Sequence, residues 1–157
     1  MNKWRPRTTI ILIVGSVLVL VALVASYVTA NFQPTTEVRI GSGVFHVRLA
    51  TTETDRQVGL SGVEKLAVNG GLLMVFDADD KWGIWMKDMK IPIDIIWLNG
   101  DKKVIYMVTD ASPDTSTSKV FTPKSPARYV LEVPAGMVKK SGIKINDTAV
   151  FTLEGGQ

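Results

Sequence analysis

Two hydrophobic patterns divide this chain of 157 residues. Thr8–Val28 is a nearly continuous run of Ile, Leu, Val and Ala, whereas the residues after it alternate short apolar runs with polar turns. An apolar run of about 20 residues is long enough for a membrane-spanning helix. Short runs with an apolar residue at every second position are typical of β-strands. The pattern therefore predicts one N-terminal helix followed by a β-rich domain.

The β-rich part is predicted to contain about seven or eight short strands. Val38–Ile40 and Val44–Ala50 flank a Gly-Ser-Gly turn and form a predicted hairpin, because glycine readily supplies the positive φ of a tight turn. Asn99-Gly100 predicts a second hairpin. The other predicted strands are Leu72–Phe76, Trp82–Met86, Ile93–Leu98, Val104–Thr109, Arg128–Val133 and Thr148–Leu153.

Two short helices and one long loop complete the domain. Thr52 is the predicted N-cap of the first helix, with Asp55 three residues later and Gly59 at its end. The second helix is predicted at Pro134–Gly142, with proline in its first turn and lysines in its last. Asp110–Ser125 has no periodicity and is predicted to be an exposed loop.

These elements define the expected fold class. The sequence shows no strand–helix–strand rhythm and no internal repeat. The predicted fold is mainly β, an antiparallel β-sandwich or barrel with two short helices, preceded by one N-terminal transmembrane helix. The expected parts are a signal anchor at residues 1–30, a linker at residues 31–36 and one domain at residues 37–157.

The charges near the N-terminus set the expected orientation. Lys3, Arg5 and Arg7 precede the apolar run, and basic residues beside a spanning helix stay in the cytoplasm. Residues 8–28 are therefore predicted to cross the membrane, with a cytoplasmic N-terminus and an extracytoplasmic domain. The alternative is a signal peptide, with secretion of the domain after cleavage following Ala30.

Composition excludes several classes of function. The chain has 18 basic and 15 acidic residues, and the three N-terminal basic residues account for the difference, so the domain itself is neutral. A neutral domain does not favour a nucleic-acid partner. Because the chain has no cysteine, thiolate chemistry, iron–sulfur clusters and cysteine zinc sites are excluded.

The segment Trp82–Leu98 holds three of the four tryptophans and one unexpected carboxylate. In a strand, Asp94 would share a face with Ile96 and Leu98. Burying a carboxylate among such neighbours is costly unless it is paired or hydrogen-bonded. Asp94 is therefore expected either to belong to a polar site or to fix the bend at Pro92.

This segment resembles a known family. Trp85-Met86-Lys87-Asp88-Met89 followed by Ile91–Leu98 is similar to W-M-K-N-T-x-I-P-L-D-I-x-F-[IL], the signature of the domain of unknown function 192 family, of UPF0127 type. Further matching blocks are Arg56-x-x-Gly59-Leu60, Gly71-x-Leu73-x-Val75-Phe76, and Ala127–Glu132 with Ala135-Gly136 and Gly142-Ile143. The resemblance runs from about Glu37 to the C-terminus and implies a jelly-roll-like β fold. It implies no established activity, and Asp88 and Met89 replace the usual Asn and Thr.

Several catalytic mechanisms lack the residues that they require. His46 is the only histidine and lies in a predicted strand, so neither a Ser–His–acid triad nor a histidine zinc site is expected. The sequence has no G-x-S-x-G elbow, phosphate-binding glycine loop or dinucleotide fingerprint. No metal and no cofactor are predicted.

Carboxylates with basic partners remain as candidate chemistry. Asp94 and Glu132 are the catalytic candidates, because paired carboxylates perform acid–base work on glycosides. Trp85 and Trp97 could offer stacking faces to a sugar, although core positions for both tryptophans and a structural role for Asp94 are the alternative. The ligand-binding candidates are Arg56, Trp85, Lys87, Asp88 and Arg128.

Two functions are compatible with these features. The first is a membrane-anchored extracytoplasmic β-domain that binds a cell-envelope polymer such as a saccharide, a small polar ligand or a protein partner without catalysis. The second is an envelope glycan-acting enzyme that uses Asp94 and Glu132 as acid and base.

Overall fold

The computed structural model describes residues 6–31, 35–115 and 119–153. The chain divides into two compact units, Met1–Pro34 and Thr35–Gln157. The basic residues Lys3 and Arg5 and the predicted linker positions 32–34 lie outside the described residues.

The first unit contains the helix α1 (Pro6–Asn31). Its sequence places Ile, Leu, Val and Ala at consecutive positions, so apolar residues lie on all sides of the helix and no polar stripe interrupts them. When only the fully described residues are counted, no helix is long and apolar enough to cross a membrane. The membrane segment stays a prediction.

The second unit is built from eight described strands and two short helices. The elements in chain order are β1 (Thr35–Ile40), β2 (Gly43–Ala50), α2 (Glu53–Val58), β3 (Gly70–Asp80), β4 (Ile84–Trp85), β5 (Ile93–Leu98), β6 (Val104–Ala111), β7 (Val120–Phe121), β8 (Ala127–Pro134) and α3 (Met137–Lys140). Six strands form one sheet in the order β1-β2-β3-β8-β5-β6, and β4 and β7 form a separate two-stranded ribbon. The prediction of a mainly β fold is confirmed.

The sheet is mixed, which corrects the predicted antiparallel arrangement. β2 and β3 run parallel, with His46 beside Gly70 and Ala50 beside Met74, while the other paired neighbours run antiparallel. A parallel pair requires a crossover connection, and here α2 and residues 59–69 supply it. The sequence predicted both strands and the short helix between them, but it did not show that the two strands pair, because the paired residues are far apart in the chain.

The described strands do not close into a barrel, which corrects a second part of the predicted fold. The edges of the sheet are β1 and β6. The predicted closing strand Thr148–Leu153 is instead irregular and forms single bridges, from Val150 to Arg39 beside one edge and from Thr148 to Lys103 beside the other. The C-terminal segment therefore contacts both edges without completing a ladder between them.

Two element predictions between Asp110 and Gly142 also need correction. Pro134 is the last residue of β8 rather than the first turn of a helix, and α3 begins only after Gly136, which adopts a φ of 83°. The predicted loop Asp110–Ser125 includes the end of β6 and the whole of β7. A two-residue strand is too short to produce a recognisable alternation.

The turn signals of the two hairpins and the cap signals of α2 are confirmed. β1 and β2 form the predicted hairpin, with Ile40 paired to Gly43, and β5 and β6 form the hairpin around Asn99-Gly100. Thr52 caps α2, and the N–H of Gly59 closes it. These signals depend on residues close together in sequence, so they can be predicted without knowing the tertiary structure.

Hydrophobic clusters cover both faces of the sheet, because neighbouring residues of a strand point to opposite faces. The face that we call the core face is covered by α3 and the C-terminal segment; its strand residues include Phe45, Val47, Leu73, Ile96, Leu98, Leu131 and Val133. The opposite face, which we call the pocket face, includes Leu72, Met74, Phe76, Ile93, Ile95, Trp97 and Val130. β5 is consequently buried along its whole length, which explains its nearly continuous apolar sequence.

Asp94 is fully buried on the core face and binds two backbone amides. Its Oδ1 accepts the N–H of Asp110 and its Oδ2 accepts the N–H of Val138, both at 2.8 Å. The pairing of β5 with β6 is irregular between Ile93 and Ile95, and an N–H at such an irregularity has no partner in the ladder. The Asp94 carboxylate is the partner of the Asp110 N–H, and its bond to Val138 joins α3 to the sheet.

We expect Asp94→Asn to lower the free energy of unfolding of residues 35–157 by about 2 to 3 kcal/mol, because hydrogen bonds to a buried charged group are strong and an amide offers one acceptor oxygen in place of two. Urea denaturation of the two proteins measures this loss. Asp101→Asn is the matched control, since Asp101 is exposed in the turn between β5 and β6. A loss below about 0.5 kcal/mol for Asp94→Asn would contradict the structural role.

Candidate functional site

A cavity of about 390 Å³ lies on the pocket face, between α2 and the segment that contains β4; we call it the α2 pocket. Its apolar lining consists of Val58, Leu60, Met74, Phe76, Trp82, Ile84, Trp85 and Met89. Its polar side chains are Glu53, Arg56, Gln57, Ser61 and Glu132. A mostly apolar cavity of this size with a few polar groups is the usual form of a small-molecule site.

Caps and one arginine hold α2 in place over the pocket. The hydroxyl of Thr52 accepts the N–H of Asp55 at 3.1 Å, and the N–H of Gly59 donates to the carbonyl of Asp55 at 2.8 Å. Arg48, on β2, donates from Nη2 to the carbonyl of Gly59 at 2.8 Å. The C-terminal end of α2 is therefore fastened to the sheet.

One wall of the pocket is a three-layer stack. Phe76 and Trp82 are parallel within 9°, with ring centroids 4.2 Å apart, and the guanidinium of Arg56 lies 5.0 Å from the Phe76 centroid. Arg56 also donates from Nη1 to the carbonyls of Thr51 at 2.6 Å and Val75 at 2.8 Å. These contacts hold Arg56 in the wall, with its Nη1 directed at two backbone carbonyls.

The tryptophans of the central segment have different roles. Trp85, on β4, is 46% exposed at the pocket, with the Nζ of Lys87 5.5 Å from its ring centroid. Trp97 is fully buried, and its Nε1 donates to the carbonyl of Trp82 at 2.8 Å. Trp97 therefore cannot stack on a sugar, and it positions Trp82 in the pocket wall instead.

Glu132 is the buried acid of the pocket. It lies on β8, is 3% exposed, and its Oε2 has no hydrogen-bond partner among the described residues. Burial raises the pKa of the Glu132 carboxyl to about 7, while the positive charge of Arg48 acts in the opposite direction. Removal from water penalises the charged form of a carboxyl, so Glu132 is poised between its protonated and ionised forms near neutral pH.

The structure does not bring Asp94 and Glu132 together as an acid–base pair. In the ladder between β5 and β8, Asp94 lies opposite Val133 and Glu132 lies opposite Ile95. Directly opposite residues share a face of a sheet, and the next residue along the strand points to the other face. The two carboxylates are thus separated by the sheet itself and cannot act on one substrate from two sides.

The remaining predicted residues divide between the pocket and the rest of the surface. Arg56 and Trp85 join Glu132 at the α2 pocket, and Lys87 lies beside Trp85. Asp88 is exposed with a φ of 57°, and its carbonyl accepts the N–H of Gly62 at 2.8 Å, so it shapes a turn.

Arg128 is not part of the pocket lining. Its Nε forms an ion pair with Asp79, and its Nη1 donates to the carbonyl of Asp77 at 2.8 Å. These contacts link the exposed ends of β3 and β8. The family-like motif around Arg128 therefore includes a surface ion pair in addition to the buried Glu132.

Sequence reasoning missed most of the apolar lining, including Leu60, Met74 and Met89. The run Leu72–Phe76 is apolar at every position, so the sequence could not show which of its residues face a cavity. The signal for the pocket in the sequence was Glu132, an acid between the apolar residues Leu131 and Val133 of β8.

The pocket offers no obvious metal or cofactor site. Within the described ranges, no group of three or more His, Asp or Glu side chains could hold a metal ion. The geometry favours a small organic molecule that places its apolar part against the aromatic and methionine side chains and a polar group near Glu132.

Comparisons with known proteins support one family. The model of the family DUF192, described as an uncharacterized ACR, matches residues 36–151. A UPF0127 protein of Thermococcus gammatolerans is 33% identical over 104 residues, which cover 65% of this chain and 63% of that protein. A UPF0127 protein of Thermococcus kodakarensis is 32% identical over 108 residues, which cover 68% and 64%. The chain thus spans slightly less than two thirds of the length of these relatives.

Two crystal structures have a similar fold. A protein of Sinorhizobium meliloti, described provisionally as a transcription regulator, is 25% identical with a TM-score of 0.71, and the match covers 74% of this chain and 93% of that one. A protein of unknown function from Novosphingobium aromaticivorans is 26% identical with a TM-score of 0.68, and the match covers 73% and 83%.

We expect Glu132→Gln to stabilise residues 35–157 above about pH 7 and to have little effect below about pH 4.5. The folded-state pKa is raised from 4.5 to about 7, so the wild type loses stability as pH rises through this interval; the difference corresponds to about 3 kcal/mol. Urea denaturation across the pH range measures the effect.

Glu64→Gln is the matched control for this pH series, because Glu64 is exposed and does not line the α2 pocket. A constant difference between wild type and Glu132→Gln at every pH would show that burial does not raise the pKa of Glu132.

Proposed function

The chain belongs to the DUF192 family, and from the geometry of its pocket we propose that it binds a small, mainly apolar envelope ligand without catalysis, while α1 tethers it to the membrane. The observation that carries the ligand-binding proposal is the buried Oε2 of Glu132, which faces no hydrogen-bond partner among the described residues and belongs to the lining of the α2 pocket. A buried acceptor without a partner is costly. A ligand that donates a hydrogen bond there would offset that cost.

Binding without catalysis is favoured by the arrangement of the acids. Asp94, the predicted catalytic partner of Glu132, points to the core face, and its oxygens are occupied by two backbone amides, while the other acid of the pocket lining, Glu53, is exposed on α2. Acid–base cleavage of a glycoside uses two carboxyl groups on either side of the bond. The size of the pocket favours a small molecule over a polymer chain.

The tether is supported by the sequence of α1. Apolar side chains on all sides of a helix would be unfavourable in water, and the basic residues Lys3, Arg5 and Arg7 before the apolar run favour a cytoplasmic N-terminus. The domain would then face the extracytoplasmic side, where a ligand of the cell envelope could reach the α2 pocket. Secretion after cleavage following Ala30 is the alternative location.

We expect residues 35–157 to bind the neutral fluorescent probe N-phenyl-1-naphthylamine at one saturable site, and Gln57→Trp to weaken this binding at least about tenfold. Gln57 is exposed on α2 and lines the pocket, so a larger side chain there would obstruct the cavity without disturbing the core. Probe fluorescence measures the affinity.

Thr54→Trp is the matched control, since Thr54 is exposed on the same helix but does not line the pocket. Equal loss of binding in Gln57→Trp and Thr54→Trp, or no saturable binding to the wild type, would overturn the assignment of the α2 pocket as a ligand site.

For the tether, we expect the full-length chain to stay in the membrane pellet after alkaline carbonate extraction and a chain without residues 1–30 to appear in the soluble fraction. N-terminal sequencing of the membrane-bound protein should show that residue 31 is not the new N-terminus. Recovery of the uncleaved full-length chain in the soluble fraction would refute the tether, and a mature chain beginning at Asn31 would establish the secreted alternative.

A further inference from the structure

Glu132 places an acid without a protein partner in the lining of a pocket whose walls are otherwise mainly apolar. We propose that the α2 pocket selects organic cations, with the ammonium or guanidinium group of the ligand bound by the Glu132 carboxylate and its apolar body packed against Leu60, Met74 and Met89. The proposal rests on the proposed function and specifies the chemical class of its ligand.

The first argument is that Glu132 forms no ion pair with a basic side chain in the described part of the chain. The ion pairs found in the described part of the chain join Arg39 to Glu37 and Arg128 to Asp79, and neither involves Glu132. The Oε2 of Glu132 also accepts no hydrogen bond from the described residues. The acid therefore keeps its capacity to accept a charged donor.

The second argument concerns the charged groups around Glu132. Arg48, on β2, acts on Glu132 through its charge, but its Nη2 donates to the carbonyl of Gly59. Arg56, on α2, donates to two backbone carbonyls and lies over the Phe76 ring. Glu53, also on α2, is exposed and adds a second negative charge to the pocket lining.

The third argument compares the possible ligands. A hydrogen bond from an ammonium group to an ionised carboxylate adds the attraction of two opposite charges, which is stronger in a buried site than in water. An ammonium group satisfies an ionised carboxylate most completely, since it offers three donors and no acceptor. A ligand carboxylate would face the like charges of Glu132 and Glu53, and the Nη1 of Arg56, the basic residue of the lining, already donates to two backbone carbonyls. A hydrophobic amine therefore fits the combination of one buried acid and apolar walls better than a hydrophobic acid.

Because Glu132 gains and loses a proton near neutral pH, the affinity for a cation should change with pH in a defined direction. The pKa of Glu132 is raised to about 7, so part of the free protein carries a proton on this carboxyl near neutral pH. A cation binds the ionised form, and the displaced proton passes to solvent. Affinity for an amine should consequently rise with pH until Glu132 is fully ionised. The affinity for a neutral ligand that accepts a hydrogen bond from the protonated carboxyl would instead fall as pH rises.

The test is an NMR titration of the full-length chain in lipid nanodiscs with methyl-labelled methionine, using hexylammonium and 1-hexanol as probes of equal chain length. Met74 and Met89 line the α2 pocket and should respond, whereas Met107 and Met137 pack against the core-face cluster and serve as internal controls. Because the readout is local, partition of the probes into lipid does not produce the same pattern.

We expect hexylammonium to bind at least about tenfold more tightly than 1-hexanol at pH 8. Its affinity should increase about tenfold between about pH 6 and about pH 8. Glu132→Gln should remove this preference and its pH dependence, and Glu64→Gln should change neither.

The outcomes separate this inference from the proposed function. If both probes shift Met74 and Met89 with equal affinity, or if amine affinity falls as pH rises, the pocket binds ligands but does not select cations. If neither probe shifts these methyl groups and N-phenyl-1-naphthylamine also fails to bind, the proposed ligand site and the inference built on it both fail. Loss of the methyl spectrum in Glu132→Gln would identify a folding defect, and Glu132→Met would then test the same loss of charge with an apolar side chain of similar length.

Discussion

The hydrogen bonds of one buried carboxylate connect three parts of the fold. Asp94 on β5 accepts an N–H from the irregular end of β6 and another from α3. α3 has only four residues, and a helix of that length is not stable alone, so its position depends on contacts with the sheet. Val138 of α3 in turn belongs to the cluster that covers the core face. The hydrophobic packing of the core face therefore depends on the hydrogen bonds of Asp94.

Glu132 provides the contrast, one strand away and on the other face of the same sheet. Both acids are buried, but both oxygens of Asp94 accept backbone amides, whereas the Oε2 of Glu132 accepts none from the described residues. The stability of the fold is enough to explain a carboxylate at Asp94. It does not explain Glu132, because a buried acceptor without a partner destabilises a fold. The physical difference between the two acids is what separates a structural residue from a candidate binding residue.

The local part of the structure was predictable from sequence, and the long-range part was not. Glycine and asparagine turns identified two hairpins, and Thr52 identified the start of α2. The parallel pairing of β2 with β3 depends on a connection whose helix is too short to show a period. The motif around Asp94 marked an important residue, but only strand register shows that Asp94 and Glu132 face opposite sides. The pocket lining could not be deduced either, since it combines residues from α2, β3 and β4 with no shared sequence pattern.

The C-terminal segment affects how readily the sheet edges of two copies of this protein can pair. The N–H and C=O of Arg39, near one edge of the sheet, both bond to Val150, and the N–H of Ala149 bonds to the carbonyl of Lys102 beside the other edge. Unpaired strand edges readily pair with edges of another molecule and so lead to aggregation. A short irregular segment therefore protects backbone groups at both edges of the sheet. If α1 does concentrate copies on a membrane surface, this edge protection would help the domains to remain separate at high local density.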